Sequence, residues 1–375
     1  MIPCLNEAAS IARCVETANR VLDENGIAGE VVVADNGSSD GSAELARAAG
    51  ARVVDEPRRG YGSAYLAGFA AARGDYIVMI DADLTYDFGE IPRFVRELDD
   101  GADLVMGNRM GGVEPGAMST LSRVGNPMLS GFLNFLFRTP VRDAHCGMRA
   151  LRHDALPRLA LQSTGMEFAS EMVIRAARAK LEIRELPISL HPREGESKLS
   201  PFRDGWRHVR LMLLYHPTFL FLVPGCLLGA IGAILMALVF AHASLFGRSY
   251  FIHTLIGGSL LVIVGAQLFG FGLCGRAYAV HQFGDSDGWL ERVGSRFRLE
   301  YGLMLGLALM ATGLAVGGVI IARWVSHGLG SLSEERVTIL AATLLIVGIQ
   351  VFFTSFLLSI VGLRRGGGEA PDGSI

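Results

Sequence analysis

The sequence predicts two structural classes in one chain: an α/β domain with a mostly parallel, Rossmann-like sheet, then an all-α transmembrane region of four helices. Three observations carry this expectation. Before His216-Pro217, short apolar runs alternate with mixed, charged segments, the pattern of strands and crossover helices. After it come four long apolar runs, at 218–243, 252–274, 301–322 and 337–363, each reaching the ~20 residues that cross a bilayer. Within the first part an acidic triplet, Asp81-Ala82-Asp83, stands directly behind the apolar run Tyr76-Ile77-Val78-Met79-Ile80.

The elements follow in order. Met1-Ile2-Pro3-Cys4-Leu5-Asn6-Glu7 reads as the end of a first strand entering a loop. Most of a strand is missing from it, so apolar residues are expected upstream of Met1. A helix over 8–25 carries Ile11, Val15, Ala18 and Leu22 on one face. Glu30-Val31-Val32-Val33-Ala34 is a short buried strand ending in the loop Asp35-Asn36-Gly37-Ser38-Ser39-Asp40-Gly41. A helix begins near Ser42, and a third strand, Arg52-Val53-Val54, leads to Arg58-Arg59-Gly60-Tyr61-Gly62. A helix over 63–72 precedes the acidic strand. Such alternation implies right-handed crossovers between parallel strands.

The apolar runs contain no Asp, Glu or Lys and are rich in Gly, as suits helices packed in lipid. Their absence of acids and lysines argues against a transporter, which needs a polar path. Gly225, Gly229 and Gly232 would allow close packing and a homo-oligomer. Arg276, Arg292, Arg296 and Arg298 enrich the second connection, and Arg364 and Arg365 open the tail. The first and third connections have fewer, Arg248 and then Arg323 and Arg336 beside Glu334 and Glu335. The positive-inside rule therefore places the N-terminal domain, middle loop and tail in the cytoplasm. The expected organisation is a catalytic domain over 1–199, an interfacial helix over 200–216, four spans over 217–363 and a tail over 364–375. The helix carries Phe202, Trp206, Val209 and Leu213 on one face and Arg203, Arg207 and Arg210 on another, a basic amphipathic pattern suited to an anionic leaflet. A second apolar stretch, 126–138, contains Met128, Leu129, Phe132, Leu133, Phe135, Leu136 and Phe137. Its alternatives are a membrane-facing helix and a core helix. Cys4, Cys14, Cys146, Cys226 and Cys274 form no CxxC pair, so reduced, structural thiols are expected. No nucleic acid is expected among the partners.

Carboxylates at the carboxyl end of a parallel strand project where open α/β sheets bind ligands. Hard oxygen ligands at i and i+2, Asp81 and Asp83, suit Mg²⁺ or Mn²⁺ shared with a substrate's phosphates. His145 and His191 lack partners at ligand spacing and are treated as non-ligands.

The series Pro3-Cys4-Leu5-Asn6-Glu7, Asp35-Asn36-Gly37-Ser38-Ser39-Asp40 and Asp81-Ala82-Asp83 resembles a family-2 glycosyltransferase with a GT-A fold. Gly107-Asn108-Arg109, Asp143-Ala144-His145-Cys146-Gly147-Met148-Arg149-Ala150, Gly165-Met166-Glu167-Phe168 and Gly195-Glu196-Ser197-Lys198-Leu199-Ser200 resemble the polyprenyl-phosphate hexosyltransferases, dolichol-phosphate mannose synthases among them. The resemblance implies inverting transfer of a hexose from a nucleotide-diphosphate sugar, UDP-glucose or GDP-mannose, to undecaprenyl or dolichyl phosphate at the inner face of the cell membrane. It implies Pro3, Leu5, Glu7 and Asp35 at the nucleotide, Asp81 and Asp83 at donor and metal, and Lys198 at the diphosphate, in a lid that begins at Arg193. It implies Arg109 and Arg123 at the acceptor phosphate. Asp143 is either a base, a sugar-orienting group or a structural partner of Arg149. Glu167 and Glu171 fall at i, i+4 of a helix, where a solvated or salt-bridged face is an alternative. Many relatives carry Gln two residues after the second Asp; Thr85 stands there, leaving water or its hydroxyl to complete the shell. A modified amino sugar or pentose is the nearer alternative donor. A processive polysaccharide synthase lacks support, because no Gln-x-x-Arg-Trp motif is present. A non-catalytic membrane scaffold or transporter is the alternative from another class.

Overall fold

A computed structural model describes residues 1–193, 200–245, 248–249, 251–283, 299–329 and 334–363. The chain divides into two compact units, Met1–Met212 and Leu213–Ile375.

The first unit is built on β1 (Ile2–Cys4), β2 (Val32–Asp35), β3 (Arg52–Asp55), β4 (Tyr76–Met79), β5 (Leu104–Asn108), β6 (Arg149–Arg152) and β7 (Ile183–Pro187). Strands β1, β2 and β3 pair in parallel, as do β5 and β7. The expected mostly parallel sheet holds with one exception: β6 runs antiparallel between β4 and β5. Met1 bridges the two groups, its ammonium donating to Val78 O at 2.8 Å and its carbonyl accepting from Ile80 N at 3.1 Å. The chain winds outward from β1 to β2 and β3, then returns to place β4 on the other side of β1. That reversal leaves a crevice at the carboxyl ends of β1 and β4, the usual ligand position in such sheets.

Helices cover the sheet because their apolar residues fall on one face. In α1 (Ile11–Glu24) the buried set is Ile11, Cys14, Val15, Ala18 and Val21, the i, i+3, i+4, i+7 pattern of one stripe. Helices α2 (Ser42–Ala48) and α3 (Tyr61–Ala71) follow β2 and β3 as crossovers. Next come α4 (Ile91–Asp99), α5 (Thr120–Phe137), the single turn α6 (Leu156–Leu159) and α7 (Phe168–Arg178), whose residues Phe168 to Ala176 are all buried. Tyr61, Tyr65, Phe69 and Phe168 form one aromatic cluster, with Tyr65 and Phe168 stacked at 5.6 Å. Helix α8 (Pro201–Leu214) turns Asp204, His208 and Met212 inward and Phe202 and Trp206 to solvent.

The second unit contains a π-helical turn, Thr218–Leu222, running into α9 (Val223–Phe240), then α10 (Ile252–Phe283), α11 (Leu299–Ser326) and α12 (Glu335–Leu363). Four segments are long and apolar enough to cross a membrane: Thr218–Phe240, Ile252–Ala279, Leu299–Ser326 and Glu335–Val361. Glycine sets their spacing. A methyl group on Gly232 would lie 2.5 Å from Gly258 O, one on Gly225 2.7 Å from Phe269 N, and one on Gly265 2.5 Å from Gly229 N. The close helix packing expected of this glycine stripe is met by Gly225 and Gly232 against α10, while a methyl group on Gly229 would meet open space. Ser259 and Thr343 hydrogen-bond at 2.7 Å and tie α10 to α12.

Gly232→Ala should therefore force α9 from α10 at a cost of about 1–3 kcal/mol. A thermal scan in detergent should show an unfolding midpoint several degrees below that of Gly317→Ala, whose methyl group meets open space.

Candidate active site

The crevice is assembled from four loops. Parallel pairing sets Cys4 opposite Asp35, so the Pro3, Leu5 and Glu7 loop lies beside the loop that follows β2. Asn36 N donates to Cys4 O at 2.8 Å, Glu7 N to Ser42 Oγ at 2.8 Å and Ala8 N to Asp40 Oδ2 at 3.0 Å, locking the two loops. Asn36 then clamps the third loop, donating to Glu56 O and Arg58 O and accepting from Gly60 N at 2.7 Å. Asp35 is 5% exposed; its Oδ2 accepts from Gly37 N and Ser38 N, while Oδ1 is buried with no partner among the described residues. A buried carboxylate oxygen left unpaired is costly. It fits an N–H or hydroxyl of a bound ligand.

The Asp81–Asp83 turn forms the fourth loop. Ser10 Oγ and Cys14 Sγ, both from the start of α1, donate to Ala82 O at 2.6 and 3.4 Å. Leu84 takes a left-handed conformation, φ 58°, an expensive geometry for a non-glycine residue. Asp81 Oδ1 accepts from Tyr61 OH at 3.1 Å and Tyr65 OH at 3.4 Å. Its Oδ2 lies 2.3 Å from where a Cβ on Gly147 would stand, so only glycine fits there. Burial, and next the Asp83 charge, push the Asp81 carboxyl up to about 6, against Tyr61, Arg193 and Arg109. Asp83 Oδ1 accepts from Thr85 Oγ1 at 2.6 Å and Thr85 N at 3.2 Å; its Oδ2 receives Arg193 Nε at 2.8 Å and Arg193 Nη2. The Thr85 hydroxyl, which the sequence left as a candidate ligand, buttresses Asp83 instead.

A buried Asp81 whose proton affinity is raised by burial and then by the neighbouring Asp83 charge marks a donor set short of positive charge. Among the described residues no group of three His, Cys, Asp or Glu could hold a metal alone. The pair therefore fits an ion such as Mg²⁺ or Mn²⁺, which takes one or two carboxylates and fills its shell with water and substrate phosphate. It does not fit a closed structural site.

Beside it, Arg109 forks onto Asp143, with Nε–Oδ2 at 2.7 Å and Nη2–Oδ1 at 2.8 Å; the Arg109 amide adds a third bond at 3.1 Å. Asp143 is wholly buried. The expected alternative, pairing of Asp143 with Arg149, is overturned. Arg149 is 1% exposed and spends its guanidinium on the carbonyls of Cys146, Ala169 and Ala144 at 2.8–2.9 Å. A carboxylate so fully engaged is a positioning group rather than an open base. Arg109 Nη1 also approaches Tyr86 OH at 3.4 Å, and Gly147 N donates to the same hydroxyl at 2.8 Å. Arg109 is itself 8% exposed and its fork is taken. Arg123 sits exposed on the first turn of α5, without an ion pair among the described residues. Lys198 and Gly195 lie outside the described residues.

Two further alternatives are resolved. Glu171 is salt-bridged rather than solvated: it is fully buried, accepts from Gln162 N and Ser163 N, and pairs with Arg175 at 3.3 Å. The 126–138 stretch is divided, with Ser130, Leu133 and Leu136 in the core and Met128 and Phe135 exposed at 69% and 68%. Sequence reasoning assigned no role to Tyr61, Tyr65 and Tyr86, whose hydroxyls line the acidic pocket. The Tyr61-Gly62 pair beside the Arg58-Arg59 loop was visible, but nothing in its spacing pointed at Asp81. His145 is also engaged: Ser170 Oγ lies between His145 Nε2 at 3.2 Å and His208 Nδ1 at 2.8 Å.

The Glycosyl transferase family 2 profile matches residues 1–159, and the glycosyltransferase family 2 C-terminal transmembrane region matches residues 273–362. The low-salt glycan biosynthesis hexosyltransferase Agl6 of Haloferax volcanii is 43% identical over 365 residues, covering 96% of this chain and 88% of its own. The chain belongs to glycosyltransferase family 2. A dolichyl-phosphate hexose transferase of the same organism is 36% identical over 203 residues, 53% of this chain and 85% of the relative. An undecaprenyl-phosphate 4-deoxy-4-formamido-L-arabinose transferase of Edwardsiella ictaluri is 31% identical over 294 residues, 73% of this chain and 86% of the relative. The protein is thus a glycosyltransferase whose family-2 domain precedes four helices of membrane-spanning length.

Asp143→Ala should strand a buried guanidinium and cost about 3–5 kcal/mol, measured as lost thermal stability alongside lost activity. Burial holds the His208 imidazole down at about 4, against Asp204 and with help from Arg149; burial, His208, Arg149 and Arg109 hold His145 well below 6.5. Both bind a proton more readily unfolded, so their stabilisation is complete above about pH 6.5 and is lost as pH falls towards 4. His208→Asn should show a shallower fall in unfolding midpoint across that window than the unmodified protein.

Proposed function

We propose that the protein transfers a hexose from a nucleotide-diphosphate sugar to a polyprenyl phosphate, inverting the anomeric carbon, at the cytoplasmic face of the cell membrane. The observation that carries this reading is the acidic pair Asp81 and Asp83, together with an Asp35 Oδ1 buried without a partner among the described residues, in a family-2 domain. Membrane-length helices in the same chain favour a lipid acceptor. Two relatives named for dolichyl- and undecaprenyl-phosphate transfer support that acceptor, and two named for hexosyl transfer support the sugar.

In this reading Pro3, Leu5, Glu7 and Asp35 take the nucleoside, and Asp81 and Asp83 take Mg²⁺ or Mn²⁺ with the diphosphate. The cation, when bound, would neutralise the departing diphosphate. A phosphate oxygen of the acceptor forms a bond to the sugar's C1 as the C1–O bond to the nucleoside diphosphate breaks. The acceptor is already an anion, so no general base is required, and Asp143 serves by holding Arg109. Arg109 and Arg123 supply positive charge for the acceptor phosphate, and Lys198 completes the diphosphate site. The exposed Phe202 and Trp206 of α8, with Met128 and Phe135 of α5, suit contact with membrane lipid. Arginine-rich connections favour a cytoplasmic catalytic domain in a multi-pass inner-membrane protein. A modified amino sugar or pentose is the second reading, favoured by the formamido-arabinose transferase relative.

The test is transfer of radiolabelled sugar from UDP-glucose or GDP-mannose to undecaprenyl or dolichyl phosphate in detergent, with Mn²⁺, Mg²⁺ or chelator. A metal-dependent, mild-acid-labile glycolipid is expected, reduced roughly a hundredfold or more in Asp83→Ala. Chelator-resistant synthesis by Asp83→Ala would overturn the metal assignment.

A further inference from the structure

Arg193 is delivered to the acidic pair by a segment with its own anchors. After β7 the chain buries Ile188 and Leu190 and pairs Leu190 with Val113. His191 N donates to Thr85 O at 2.9 Å, and His191 Nδ1 meets Glu114 Oε1 at 2.9 Å. The segment is therefore fastened, two residues before Arg193, to the turn that holds Asp83. From there Arg193 sends both Nε and Nη2 to a single oxygen, Asp83 Oδ2, while Thr85 takes Oδ1. The two partners are unequal: the Asp83 side chain is 5% exposed and that of Arg193 is 31%. The carboxylate is fixed, and the cation has a solvent-facing route away from it.

We propose that Arg193 is a latch that occupies the metal-facing oxygen of Asp83 in the donor-free enzyme, and that it is displaced when a divalent cation arrives with a nucleoside diphosphate. The proposal rests on the reading of Asp83 as a metal carboxylate and adds a competitor for it. Without Arg193, two adjacent carboxylates would face each other with too little positive charge; with it, a cation must first break a charge-assisted double contact. A nucleoside diphosphate changes the balance, because its phosphates supply further oxygens to the metal and a new anion for the released guanidinium. Metal and nucleotide therefore bind with positive coupling, and the coupling passes through one side chain. The device would keep the site from filling with metal alone.

The experiment is Mn²⁺ titration of the full-length protein in detergent, following free Mn²⁺ by electron paramagnetic resonance, without nucleotide and then with UDP or GDP. Without nucleotide, Arg193→Gln should bind Mn²⁺ roughly tenfold or more tightly than the unmodified protein, and Arg193→Lys, which keeps the charge but not the fork, should fall between them. The tightening of Mn²⁺ binding by nucleotide should shrink in Arg193→Gln by a similar factor. Unchanged or weaker Mn²⁺ binding in Arg193→Gln, with binding lost in Asp83→Asn, would overturn the latch and leave the metal site standing. Undiminished Mn²⁺ binding in Asp83→Asn would overturn both.

Discussion

Two carboxylates held side by side at the edge of a buried sheet repel each other, and much of the first unit is arranged around that repulsion. Asp81 is met by two tyrosine hydroxyls and by the bare backbone of Gly147; Asp83 is met by Thr85 and Arg193. The turn carrying them is pinned through Ala82 O to the first turn of α1 and carries a left-handed residue at Leu84. Strain and like charge of this kind persist only where the surroundings over-determine the geometry. They are tolerable here because a ligand would relieve the charge.

Positive charge is rationed in the same region. Arg109 is committed to Asp143, and Arg149 is sunk among backbone carbonyls, where it lowers the proton affinity of His145 and His208. Arg193 reaches the acidic pair while keeping access to solvent. Fixed cations shape the pocket and a releasable one answers its occupancy. That division of labour follows from burial: a guanidinium with all its hydrogen bonds made inside the fold has nowhere else to go.

The helical unit solves a different problem. Lipid gives helices no hydrophobic reason to associate, so close backbone approach must supply the contact. Glycines on α9 and α10 provide it, with the Ser259–Thr343 hydrogen bond as a polar tie. Gly225, Gly232, Gly258 and Gly265 are spent on this contact within the chain.

Much was legible in the sequence alone. Periodicity and run length determine the alternating domain and the four membrane-length segments, because both depend on local burial patterns. The acidic triplet behind an apolar run pointed to the candidate site, because open α/β sheets bind ligands at the carboxyl ends of their strands. The family resemblance came from motif order, which is also linear. Tertiary structure decided who pairs with whom. Asp143 chose Arg109, 34 residues away, over Arg149; Glu171 went to the core; Tyr61 and Tyr65 of α3 converged on the pocket with Tyr86 from the loop after β4. Arg193 crossed 110 residues to reach Asp83. Such choices rest on the close approach of groups distant in the chain, and a one-dimensional pattern carries no record of that distance.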